Sequence, residues 1–335
     1  MEKPKKSKAV GFVVPDFEEK GLPTVGFVIP VYNEEAVLRI FYDEMVRILT
    51  GRTDITPELV FVNDGSKDKT LEILRELREE DKRVSILDLA ANRGQQVALT
   101  AGIDYCNDVK HDIVVLMDAD MQDPPEIALS LVDKVLAGAD MVYAQRQQSN
   151  GRTAAKRFTS DLFYKTLAAV SEVSMPARTS DFCAANRKVI KEVVKYREHS
   201  RFLRGIFTHV GFRQEAFLFE RPERAAGESK YSYAKLIALA FDAIMGYSTF
   251  PLRLISTLGI IVSFLTVIVA VWIVITKIID PDFAVYGWAS TTLIISFFAG
   301  LQLLTLGIMG SYVGRIYIQS LNRPMYAMNS IERGE

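Results

Sequence analysis

The stretch IVVLMDADMQDPP, residues 113–125, decides the reading of the fold. Its first part, 113–117, is continuously apolar, the pattern of a strand covered on both faces rather than one. Such strands belong to parallel sheets flanked by helices. The run then delivers Asp118, Asp120 and Asp123 in quick succession. Carboxylates this close repel one another and raise each other's pKa, and a divalent cation relieves the conflict. Residues i and i+2 of an extended chain point to the same side, so Asp118 and Asp120 reach one site together. Asp123 before Pro124-Pro125 predicts a helix cap followed by proline in the first turn.

Working outward, the same alternation of periods continues on both sides. Apolar β-rich runs occur at 25–31, 58–62, 84–89, 113–117 and 141–144, with helix-period stretches at about 35–49, 68–80, 95–106 and 125–137. Strand, helix, strand, repeated, predicts an α/β domain with a mostly parallel, Rossmann-like sheet. In open sheets of this kind ligands bind beyond the carboxyl ends of the strands. Four polar clusters fall there: PVYNE (30–34), NDGS (63–66), ANRG (91–94) and DADMQD (118–123). One such cluster reads as turn chemistry; four around one rim read as a site.

Composition narrows the class. The 335 residues carry a formal net charge of −1, which gives no basic balance for nucleic acid. Cys106 and Cys183 form no metal-ligand pattern and fit a reducing compartment. His111, His199 and His209 show no zinc spacing. The N-terminal MEKPKKSKAV is basic, but no apolar stretch follows it before DFEEK, so it reads as a tail rather than a signal peptide. Its lysines are also suited to anionic headgroups.

Beyond residue 145 the pattern changes. Segments 151–172 and 231–247 are amphipathic and read as interface helices. Residues 254–276 then contain no charge, about 35 Å of helix against a hydrocarbon core of about 30 Å. A second uncharged run is most apolar over 289–313. Two transmembrane helices are expected, and a hairpin buried in a soluble core is the competing reading. Lys235 and Arg253 precede the pair, and Arg315, Arg323 and Arg333 follow it, which places both termini in the cytoplasm by the positive-inside rule. Gly300, Gly307, Gly310 and Gly314 form a small-residue face, suited to helix packing and a homo-oligomer, or to helix flexibility. The expected division is a tail (1–23), an α/β domain (24–230), a juxtamembrane segment (231–252), two spans (253–315) and a cytoplasmic tail (316–335).

PVYNE, NDGS, NRG, DADMQDPP and SDF (180–182), in that order over residues 24–232, resemble the inverting family 2 glycosyltransferases of the GT-A fold. With the two C-terminal spans the chain is similar to the polyprenyl-phosphate glycosyltransferases, among them dolichol-phosphate mannose synthases, aminoarabinose transferases and bacterial undecaprenyl-phosphate glucosyltransferases. The resemblance implies that Pro30, Tyr32 and Glu34 line a base pocket, with Asp64 on base or ribose. It implies that Asp118 and Asp120 hold ribose and a metal-bound diphosphate, with Gln122 helping and Mg2+ or Mn2+ as the ion. Lys230 in GESKYS would neutralise the diphosphate, and Asp181 would stand at the reaction centre. Arg146, Arg152, Lys156 and Arg157 are placed to clamp a lipid phosphate, or to rest on headgroups. Arg201 and Arg204 in RFLRG join that set. RFLRG stands where processive synthases carry Gln-x-x-Arg-Trp, which argues against polymer synthesis.

The expected partners are thus a nucleotide sugar, with UDP-glucose favoured, a polyprenyl (undecaprenyl) phosphate and a membrane, the bacterial inner or plasma membrane. GDP-mannose and UDP-amino sugars stay open as donors. A non-catalytic, membrane-tethered nucleotide-sugar binder is the alternative of another class. A channel built on the hairpin is disfavoured, because the spans carry no charge to mark a pathway.

Overall fold

A computed structural model describes residues 21–146, 179–199, 201–219, 250–279 and 287–334. The chain divides into two compact units, and the first comprises Met1–Ala154, Met175–Gly227 and Pro324–Glu335. Its order is β1 (Thr24–Val31), α1 (Leu38–Leu49), β2 (Thr56–Asn63), α2 (Thr70–Glu80), β3 (Val84–Leu89), α3 (Gln95–Val109), β4 (Ile113–Leu116), α4 (Pro125–Leu136), β5 (Met141–Arg146) and β6 (Thr179–Asn186). Then come α5 (Arg187–Val193), α6 (Leu203–Val210), β7 (Gln214–Phe219) and, from the C-terminus, β8 (Met328–Glu332).

One sheet joins all eight strands in the order β7-β5-β6-β4-β1-β2-β3-β8. β1 pairs parallel with β2 and β4, β2 with β3, and β5 with β7. β6 runs antiparallel between β4 and β5, and β8 antiparallel beside β3. The continuous apolar runs are explained by cover on both faces. Phe27, Ile29, Leu59 and Phe61 pack with residues of α1, α2 and α4, while Val28, Val60 and Val62 pack with α3, α5 and α6. On the second face α3 approaches β1 so closely that a Cβ on Gly102 would lie 2.2 Å from Val28 Cγ1. That contact fixes the height of α3 over the sheet and carries its first turn to the carboxyl end of β1.

Three features depart from the sequence reading. Pro124 occupies the N-cap position of α4 with Pro125 inside the first turn, and no side chain caps the helix. Asp123 therefore stands one residue too early to cap, and is buried instead. β6, β7 and β8 lie where no strand was expected, and β8 turns part of the expected tail at 316–335 into an edge strand.

The second unit comprises Ala155–Ser174 and Glu228–Arg323. Its described helices are α7 (Phe250–Ile279) and α8 (Trp288–Ser320). Stretches of 26 residues (Pro251–Thr276) and 24 residues (Phe297–Ser320) are long and apolar enough to cross a membrane. None of either stretch is buried. Side chains such as Ile260, Phe264, Trp272 and Leu303 face outward, a surface that water penalises and hydrocarbon does not. A Cβ at Gly300, Gly307, Gly310 or Gly314 would meet nothing within 4 Å. The amphipathic stretches at 151–172 and 231–247, and the tail before residue 21, lie outside the described residues.

Candidate active site

The carboxyl ends of β1, β2 and β4 and the start of α3 enclose a cleft of about 350 Å³. Pro30, Val31, Tyr32 and Glu34 form one wall, Asp64 and Asn92 the next, Gly94, Gln95 and Ala98 the floor at α3, and Asp118, Ala119 and Asp120 the far side. Pro30, Tyr32, Glu34, Asp64, Asp118 and Asp120, all expected from the sequence, thus meet in one place. Tyr32 leaves 42% of its surface exposed, so its ring is free to face a planar ligand.

Side-chain to backbone bonds hold the loops together. Both oxygens of the buried Asp64 accept backbone N–H groups, Oδ1 from Arg93 at 2.7 Å and Oδ2 from Gly94 at 2.8 Å. Its first role is to stitch the loop after β2 to the loop after β3. Gly65 makes that approach possible. Its φ is +66°, and a Cβ there would lie 2.7 Å from Asn92 N and 2.9 Å from Ala91 C. Gly65→Ala is expected to cost about 2 kcal/mol from a disfavoured φ and backbone overlap. Thermal denaturation of the full chain in detergent measures it, and an unchanged melting temperature would mean the loops separate freely. On the opposite wall the Glu34 N–H donates to Thr70 Oγ1 at 2.9 Å, and the Glu35 N–H donates to Asp68 Oδ2 at 3.2 Å.

The electrostatics of the far side are adverse in the protein alone. Burial, then the neighbouring Asp123, Asp120 and Asp181, push the Asp118 pKa up to about 7. Gln95 Nε2 donates to Asp118 Oδ1 at 2.6 Å and opposes the shift. Burial and then Asp120 and Asp68 also raise Glu34. Asp120 Oδ1 accepts the Gln122 N–H at 2.9 Å, so Gln122 closes the turn with its backbone. Among the described residues no three His, Cys, Asp or Glu side chains converge to hold a metal by themselves. Asp118 and Asp120 nevertheless suit a hard cation that takes its remaining oxygens from substrate phosphates.

Asp181 reaches the same rim because β6 runs backwards. Leu116 of β4 pairs with Cys183 of β6, so extending the register by two sets Asp181 beside Asp118. Arg204 of α6 pairs with it: Nε donates to Oδ1 at 2.7 Å and Nη2 to Oδ2 at 3.2 Å. Gln96 Nε2 donates to Oδ2 at 2.9 Å, while Gln96 Oε1 accepts the Leu203 N–H at 2.9 Å. Gln96 therefore ties the first turn of α3, Asp181 and the start of α6 together. Asp181 and Arg204 also border a 20 Å³ pocket with Leu116, Tyr143, Cys183 and Phe207. Gln95 and Gln96 were missed by the sequence reading. Their only sequence signal is that they open the helix directly behind NRG.

Arg201, expected in the lipid-phosphate set, is buried. It is 7% exposed, donates through Nε to Thr100 Oγ1 at 3.0 Å, and donates through Nη1 to the Tyr196 carbonyl. Its Nη2 is buried without a hydrogen-bond partner among the described residues. Arg146 ends β5, and its side chain is outside the described residues, as are Arg152, Lys156, Arg157 and Lys230 entirely.

Residues 27–194 match the model of glycosyl transferase family 2. The uncharacterized glycosyltransferase YkcC of Bacillus subtilis is 41% identical, over 88% of this chain and 90% of its own. The SfII prophage-derived bactoprenol glucosyl transferase of Shigella flexneri is 36% identical, over 90% of this chain and 96% of its own. Among solved structures, glucosyl-3-phosphoglycerate synthase from Mycobacterium tuberculosis superimposes with a TM-score of 0.43 at 19% identity, over 67% of this chain and 76% of its own. A cleft built at the strand ends, lined by these ordered motifs and matched by relatives along nearly their whole length, assigns the chain to glycosyltransferase family 2.

Proposed function

We propose that the chain moves glucose from UDP-glucose onto undecaprenyl phosphate, inverting the anomeric configuration, at the cytoplasmic face of a bacterial membrane. One observation carries this reading: Asp118 and Asp120 line the cleft beyond β4, with Asp181 near enough to act on Asp118, in a chain that also bears two helices of membrane-spanning length. The likeness to a bactoprenol glucosyl transferase covers 90% of this chain and supports the lipid acceptor.

Tyr32 and Pro30 would flank the base and Asp64 the base or ribose. The α3 start, at Gly94 and Gln95, turns the positive end of a helix dipole toward the diphosphate. Asp118 and Asp120, with Gln122 nearby, would hold Mg2+ or Mn2+, which when bound offsets charge on the departing diphosphate. The acceptor is a phosphate monoester with a second pKa near 6, so its oxygen is already anionic at neutral pH and needs no strong base. That oxygen forms the new bond to the anomeric carbon while the bond to the diphosphate oxygen breaks, its electron pair leaving with UDP. An α-linked donor then yields a β-linked product. Asp181, with both oxygens engaged by Arg204 and Gln96, is built to orient the sugar and to aim Arg204 at the incoming phosphate. Arg146, Arg152, Arg157 and Lys230 complete the anion-binding set in this reading.

The topology follows the same line. β8 belongs to the sheet of the first unit although α7 and α8 precede it in the chain. Two crossings bring the C-terminus back to the side of the catalytic domain; one or three would strand β8 on the wrong face. The same proposal gives the glycine face of α8 to packing in a homo-oligomer, with helix flexibility as the other use of that face.

The test is transfer of labelled sugar from a panel of nucleotide sugars to undecaprenyl phosphate by the full chain in detergent, with Mg2+ or Mn2+, with and without EDTA. Label is expected in the lipid phase from UDP-glucose, and EDTA is expected to abolish it. Nucleotide binding without transfer from any donor would favour the tethered binder, and transfer from GDP-mannose alone would change the sugar.

A further inference from the structure

A hydrogen-bonded chain links the C-terminal strand to the nucleotide cleft. The carboxylate of Asp88, near the end of β3, is buried between two amides. Asn63 Nδ2 donates to its Oδ1 at 2.7 Å, and Asn329 Nδ2 of β8 donates to its Oδ2 at 3.1 Å. Asn63 is only 1% exposed, and its Oδ1 accepts the Ser66 N–H at 3.2 Å. Ser66 Oγ then accepts the Asn33 N–H at 3.0 Å, and Asn33 Oδ1 accepts the Lys67 N–H at 2.8 Å. The two loops joined in this way carry Asp64 on one side of the cleft and Tyr32 and Glu34 on the other. Asn33 sits at a φ of 54°, a left-handed conformation that a non-glycine residue keeps when its surroundings enforce it.

The strand is shaped for this contact. Leu89 pairs with Met328 and Asp88 with Ser330, so Asn329 is the extra residue of a β-bulge. Bulges re-aim a side chain that regular pairing would place elsewhere. Here the re-aimed side chain meets a buried carboxylate, and it comes from beyond residues 27–194, the part that the family shares.

We propose that Asn329 is a positioning residue for the donor nucleotide: through Asp88 and Asn63 it holds the 63–67 turn, and with it the 32–34 loop, in the shape that receives the nucleoside diphosphate. The proposal rests on the reading of the cleft as a nucleotide-sugar site. It makes the segment that follows the membrane-length helices part of the cleft's construction rather than a cover for the edge of β3.

The experiment uses the full chain in detergent, with calorimetric titration of UDP and steady-state kinetics with UDP-glucose. Asn329→Ala is expected to raise the UDP dissociation constant and the donor KM about tenfold, as for a coupling that passes through the buried pair Asp88 and Asn63, with kcat little changed. Asn329→Ser, which keeps a donor, is expected to recover part of the loss. Ile331→Ala is the control, because it trims apolar packing of β8 without touching Asp88. It is expected to lower the melting temperature and leave UDP affinity unchanged. Unchanged affinity in Asn329→Ala, or equal losses in Asn329→Ala and Ile331→Ala that follow the melting temperature, would overturn the proposal while the cleft assignment stands. Absence of UDP binding in the unsubstituted chain would overturn both.

Discussion

Asp120→Asn is expected to reduce transfer into the lipid phase roughly a thousandfold, the scale of losing a preorganised electrostatic contact to a leaving group. The substitution keeps the shape of the side chain. The amide oxygen can still accept the Gln122 N–H that closes the turn, so the loop geometry has no reason to change. What disappears is one negative charge beside Asp118. In the protein alone that charge is a burden, since Asp120 is among the carboxylates that push the Asp118 pKa up to about 7. The variant should therefore melt no lower than the parent chain in the absence of divalent cation, and should gain less than the parent when Mn2+ is added. Lost activity with retained or improved stability is the pattern of a residue kept for chemistry at the expense of folding. A structural residue would show the reverse. Normal turnover in Asp120→Asn would remove this carboxylate from the reaction altogether.

The sequence disclosed those parts of the fold whose information is local. Phe27, Phe61, Ile86 and Val115 lie in runs that are mostly apolar, because both faces of the sheet are covered, and such runs have few alternatives. Glycine, asparagine and aspartate after each run announced the loops, so most of the cleft could be placed before any coordinates. The missed strands carry their reasons in their neighbours. TSDFCAAN of β6 is short on branched apolar residues and becomes a strand because β4 and β5 pair with it on both sides. MNSIE of β8 reads as a polar tail and is recruited by the open edge of β3. The same limit applies to side chains. Arg201 and Arg204 are equivalent in RFLRG, yet one is bonded into the interior and the other meets Asp181, a difference set by which face of α6 and its entry loop packs inward. Gln96 became legible only when α3, β6 and α6 were seen to meet.

Asp181→Asn is expected to lower kcat about a hundredfold or more, within the range for groups acting on the reacting atoms, while UDP affinity stays within about twofold. The separation of effects follows from position. Tyr32, Asp64, Gln95, Asp118 and Asp120 line the cleft, whereas Asp181 stands beyond them and borders the neighbouring small pocket with Arg204. Asparagine at 181 would still offer one oxygen to Arg204 but would present an amide to the guanidinium with the other arm. The bidentate pairing fails and the aim of Arg204 with it. Gln96→Leu separates positioning from charge. It leaves both ionic partners in place but removes the bonds from Gln96 to Asp181 and to the Leu203 N–H, so the start of α6 loses one of its ties to α3. A smaller kcat loss of about tenfold is expected, the scale of one hydrogen bond to a charged group, with a raised KM for the lipid phosphate if Arg204 is what receives it. Equal rises in donor and acceptor KM would place Asp181 in the nucleotide cleft instead. An unchanged acceptor KM in Gln96→Leu would leave Arg204 as a structural partner of Asp181 and nothing more.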